Sequence, residues 1–76
     1  MNAKQKKQVK DWISQLEEIK IDMETMSIEE NEKYDNLPEG LQDSERGDAI
    51  SEAADTLDEA ASSIEEIIFS LNEIID

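Results

Sequence analysis

The stretch ISEAADTLDEAASSIEEIIFSLNEII, residues 50–75, decides how the chain is read. With Ile50 at heptad position a, positions a and d read Ile50, Ala53, Leu57, Ala60, Ile64, Ile67, Leu71 and Ile74. Position e adds Ala54, Ala61, Ile68 and Ile75. Apolar residues at this spacing form a stripe along an α-helix, wider than a bare coiled-coil seam. Position c reads Glu45, Glu52, Glu59, Glu66 and Glu73, a glutamate every two turns on the other side. From Gly47 to Asp76 there is no Lys, Arg or His. The sequence therefore predicts one helix with an apolar face and an anionic face.

The totals bound what surrounds this helix. Seventy-six residues make one domain, 1–76, whose core alone is marginally stabilising. No Cys or His is present, so neither a disulfide nor a zinc site of the usual structural type can staple it. Stabilisation must come from matched helix packing and self-association. The net charge is −14, from 21 acidic and seven basic residues. Four of the lysines, Lys4, Lys6, Lys7 and Lys10, lie in the first ten residues. The remainder carries all 21 acids against Lys20, Lys33 and Arg46. Such a field repels nucleic acid and anionic membranes and attracts basic proteins. No apolar run is long enough to span a bilayer, and no hydrophobic segment follows the N-terminal lysines as in a secretory signal.

A second helix precedes the first. Val9, Trp12, Leu16, Ile19, Met23 and Met26 are spaced 3-4-3-4-3, which predicts a helix over about residues 3–34. Residues 35–43 break it. Pro38 cannot continue a helix, and Gly40 offers backbone freedom. Leu37 and Leu41 are expected to plug the turn against Tyr34 and Ile50. Asp43 or Ser44 can cap the next helix, over about 44–75, by accepting bonds from its free N–H groups. Gly47 in its first turn implies a close contact, with the Tyr34 ring as one candidate. Folded at the turn, the two stripes match layer by layer: Met23 with Leu57, Leu16 with Ile64, Val9 with Leu71, Met26 with Ala53, Ile19 with Ala60, and Trp12 with Ile67. The expected fold is all-α, an antiparallel αα-hairpin with Trp12 in its core.

Two helices leave much of so wide a stripe wet. Ile21 and Ile28, seven residues apart and off the main seam, add to this, as does Ile68. These three are the candidate self-association residues, and the expected assembly is a homodimer forming a four-helix bundle.

Catalytic chemistry is not expected. Ser and Thr have no His to activate them, and no carboxylate pair stands apart from the rest. The Glu-x-x-His pairs of a di-iron bundle are absent, and residues 43–48 fail the calcium-loop pattern. No metal or cofactor is expected. The anionic face is the sharper feature. Asp48–Glu52 and Asp55–Glu59 are like-charge pairs at i, i+4, which cost a helix a few tenths of a kcal/mol each. The basic end of the first helix can offset only the far end of this row, where Lys6, Lys7 and Lys10 come near Glu73 and Asp76. The candidate partner-binding residues are Glu45, Asp48, Glu52, Asp55, Glu59 and Glu66, with Phe69 as an aromatic anchor among charges.

The segment Asn36-Leu-Pro-Glu-Gly-Leu-Gln-Asp-Ser-Glu-Arg-Gly47, followed by an Ala/Glu/Ile-rich helix, resembles small acidic helical-hairpin proteins of phages and mobile elements of Gram-positive bacteria. The resemblance covers roughly residues 30–76. It implies a non-enzymatic module in a bacterial cytoplasm that binds and inhibits a basic host or defence protein, such as a nucleic-acid-binding one, in the manner of a DNA mimic. Direct nucleic-acid or membrane binding is not expected. The alternative expectation is a structural or assembly protein acting through self-association alone.

Overall fold

The computed structural model describes all residues, Met1–Asp76, and is entirely helical. Helix α1 spans Ala3–Asp35, the short α2 spans Glu39–Gln42, and α3 spans Glu45–Ile75. The long α1 packs against α3 over most of its length, giving a rod 58 Å long and 14 Å by 13 Å across. Val9 and Ile13, near the start of α1, pack with Ile64 and Ile68 in the second half of α3. Farther along α1, Ser27 meets Ala54. The two long helices therefore run in opposite directions.

Three of the four ends of the long helices are fixed by identifiable groups. Asn2 caps α1 with a reciprocal pair: its side chain accepts from Gln5 N at 2.8 Å, and the Gln5 side chain accepts from Asn2 N at 3.1 Å. Asn36 closes α1, its N–H donating to Glu32 O at 3.0 Å. Pro38 then takes an extended ψ of 145° and starts α2, where its carbonyl accepts from Leu41 N at 2.8 Å. The Gln42 side-chain amide reaches back to Tyr34 O at 3.1 Å and ties α2 to the end of α1. Ser44 caps α3: its hydroxyl accepts from Gly47 N and donates to Leu41 O. Of the two capping candidates, Ser44 is the one used.

The turn differs from the expectation in three details. Residues 39–42 are helical instead of irregular. Gly40 has no positive φ, so its backbone freedom is not what the turn uses. Gly47 does sit in a close contact, but with backbone and not with the Tyr34 ring. A Cβ there would lie 2.7 Å from Leu41 O and closer still to Gln42 O. Leu37 is half-buried, as a plug of the turn would be, whereas Leu41 is 43% exposed.

The seam is also rotated from the expected one. Its residues on α1 are Val9, Ile13, Leu16, Lys20, Met23 and Ser27, and on α3 Ala54, Leu57, Ala61, Ile64, Ile68 and Leu71. These are heptad positions a and e of both helices, not a and d. Trp12 and Ile67, expected to face each other in the core, are 49% and 48% exposed. The reason lies in size. Ser27 is 1% exposed and donates its hydroxyl to Ala54 O at 3.2 Å, so small groups let the backbones approach closely there. Lys20 sits half-buried in the same lane because its long stem covers apolar surface while its ammonium reaches Glu65.

Candidate interaction faces

Because a and e form the seam, the rest of each helix divides into two sides. The first side carries position d. Met26 lies beside Ala49 and Ala53 near the turn, while Trp12 and Ile19 lie beside Leu71 toward the free ends. Ile67 and Ile74 share the α3 lane and are about half exposed. A largely apolar face therefore runs along both helices on one side of the rod.

The second side is anionic. Its shallow groove is lined by Lys20, Glu24, Asp58, Ala61, Ser62 and Glu65. The Lys20 ammonium binds the Glu65 carboxylate at 2.5 Å across the two helices. That hydrogen bond, more than any other influence, raises the Lys20 pKa above its ordinary 10.5. The negative charges of Glu65, Glu24 and Glu17 add to the rise, and desolvation opposes it. Around the back of α3, Glu45, Asp48, Glu52, Asp55, Glu59 and Glu66 are all exposed. Glu45 to Glu66 spans about 31 Å at ~1.5 Å per residue. Phe69 stands 68% exposed on this side. It is two residues on from Ile67 and therefore about 200° around the helix from the apolar face.

Compensation for this charge is sparse. Only two ion pairs form, Lys20–Glu65 and Lys33–Glu30. The lysines of the first ten residues form none, so Lys6, Lys7 and Lys10 make no ion pair with Glu73 or Asp76. The six acids proposed as partner-binding are brought onto one helix back and left unpaired. No three carboxylates converge closely enough to hold a metal ion. No helix is long and apolar enough to cross a membrane.

The candidate self-association residues are separated. Ile68 is spent inside the α1–α3 core, with Val9, Ile13 and Ile64. Ile21 and Ile28 are 57% and 60% exposed. Each is two residues on from Ile19 or Met26, so they point away from the apolar face. Sequence reasoning missed Ser27 and Lys20 as seam residues because both are polar. Their signal was the unbroken position-e spacing Ile13, Lys20, Ser27. Comparison with protein-family models, curated proteins and solved structures finds no match.

Proposed function

We propose that the protein is a non-enzymatic interaction module that docks the anionic back of α3 on a basic protein and blocks it. The observation that carries this reading is the unpaired row Glu45, Asp48, Glu52, Asp55, Glu59 and Glu66, held on one helix 31 residues long. Like charges at i, i+4 weaken a helix, and a cationic partner would turn that repulsion into attraction. Phe69 beside this row would supply an aromatic anchor. A basic protein whose ordinary ligand is the phosphate backbone would read such a row much as it reads a nucleic acid. The resemblance to phage and mobile-element proteins points to a bacterial host or defence protein as that partner.

A second reading is favoured by the apolar face: a structural or assembly role, in which hairpin-like units associate into a four-helix bundle and the acids maintain solubility. The test is capture from a Gram-positive lysate with the tagged protein, eluted by a salt gradient. Release of a basic nucleic-acid-binding protein at moderate salt supports docking and inhibition. Recovery of only the protein's own copies at every salt contradicts it and supports assembly.

A further inference from the structure

Position d and position e of α3 carry the same residues. The pairs are Ala53–Ala54, Ala60–Ala61, Ile67–Ile68 and Ile74–Ile75. One member of each pair lies in the lane that packs on α1: Ala54, Ala61 and Ile68 are buried and Ile75 is half-buried. The other lane repeats that packing surface and, apart from half-buried Ala60, is exposed. Along its outer edge stand Ala49, Thr56, Ser63 and Ser70, all uncharged. Next to it, α1 presents Trp12, Ile19 and Met26. A helix that met only one neighbour would need one such lane; a helix in a four-helix bundle needs two.

We infer that this face binds a second copy of the chain, turn end against free end, about a two-fold axis crossing the Ile19–Ala60 layer. The inference rests on the self-association reading above and names its face and orientation. Three observations carry it. The first is area. Five large side chains, each about half exposed, present on the order of 500 Å² of apolar surface. That is at the upper end of what monomers leave bare and, with a polar rim, near the roughly 800 Å² per partner of a standard interface.

The second is shape. On α3 the face is bulky toward the free end, with Ile67 and Ile74, and small near the turn, with Ala49 and Ala53; α1 carries a large side chain at each end, Trp12 and the flexible Met26. The axis sets Trp12 against Met26 of the second copy, Ile67 against Ala53, and Ile19 and Ala60 against their own counterparts. One axis satisfies both helices, as an isologous interface requires.

The third is charge. Residues 19–61, the turn half, hold 14 acids and three bases, a net of −11. The remaining residues hold seven acids and four bases, a net of −3. Stacking turn on turn would set −11 beside −11. The reversed arrangement sets −11 beside −3 and lays the Lys4–Lys10 cluster along the Glu29–Asp35 segment of the second copy. Like-charge juxtaposition is costly, so this decides the orientation. Glu52, beside Met26 and Ala53, and Glu66, beside Ile67, border this face and stand at the interface rim. Asp48 and Asp55, in the same lane as Phe69 about 200° around the helix from position d, stay outside it.

Sedimentation equilibrium and Trp12 fluorescence test the face together. The wild type should sediment at twice the 8.6 kDa chain mass, and its only tryptophan should shift to shorter wavelength as the dimer forms. Ile67→Lys should sediment as a monomer with unchanged helical circular dichroism, since Ile67 is outside the core. Ile21→Lys with Ile28→Lys should remain dimeric. The chain has no Cys, so single cysteines report orientation. Gln8→Cys mixed with Glu29→Cys should join through a short bis-maleimide, because the reversed arrangement brings them together. The turn-on-turn arrangement holds them about 31 Å apart. A wild type of one chain mass at all concentrations overturns self-association itself. A dimer that survives Ile67→Lys but not the Ile21/Ile28 pair overturns the face alone. A dimer without the Gln8–Glu29 link overturns the orientation alone.

Discussion

Two glycines seven residues apart do opposite work. Gly47 lies where the α2 carbonyls press on the first turn of α3, and a Cβ would strike backbone that cannot swing aside. Gly47→Ala should therefore cost about 1–3 kcal/mol, the range for overpacking. Gly40 has nothing within 4 Å of where its Cβ would be and no positive φ. Gly40→Ala should stabilise by about 0.5 kcal/mol, chiefly by restricting the unfolded chain. Urea denaturation of both variants checks the contrast, and equal effects would deny the backbone contact at Gly47. Lys20 gives a pH signature. Its pKa is raised by the Glu65 hydrogen bond, so the stabilisation it adds is fully present below 10.5 and is lost as pH rises through the folded value. The difference in Tm between wild type and Lys20→Met should hold steady from neutral pH up to that value and close above it. A difference that grew in alkali would contradict the cross-helix pair.

At the scale of the element, the decisive question is which lane of each helix is inside. Ala54 is buried against Ser27, whereas its neighbour Ala53 is exposed. Ala54→Leu should destabilise by about 1–3 kcal/mol through overpacking. Ala53→Leu, measured in solution dilute enough to hold single chains, should stay within about 0.5 kcal/mol. Comparable losses at both would return the seam to positions a and d. The two long helices, with their ends within a residue or so, and their opposite directions were legible in the sequence, because heptad spacing, Pro38 and the Ser44 cap each act locally. The choice of lane was not: of the expected layers, those at position a stay in the seam and those at position d do not. Counting apolar residues favours Trp12, Ile19 and Met26 over Ile13, Lys20 and Ser27, and α3 offers identical residues in both lanes. What selects the inner lane is close backbone approach at Ser27 and the reach of Lys20 to Glu65, and both depend on the partner helix. The contact at Gly47 was legible as a helix-weakening residue in a first turn, but its partner was not, because residues 39–42 read as irregular and instead form a helical turn whose carbonyls meet it.

Taken whole, the molecule is a rod with three different surfaces on two helices: a spent seam, a bare apolar face and an anionic back. Its core is small, four buried residues with partly buried neighbours, so charge repulsion weighs heavily against it. Raising salt from low to moderate ionic strength should raise Tm by several degrees, because screening relieves unpaired acids. A Tm that fell with salt would mean that the two ion pairs outweigh the repulsion. The proposed function rests on the same acids. The most direct test is the affinity of the captured basic partner for Glu52→Lys/Glu59→Lys, measured beside the wild type over a range of salt. Docking through the back of α3 requires the variant to bind at least about tenfold more weakly, roughly 1.4 kcal/mol, and with a shallower dependence on salt. Equal affinity and an equal salt slope in the two proteins would contradict it.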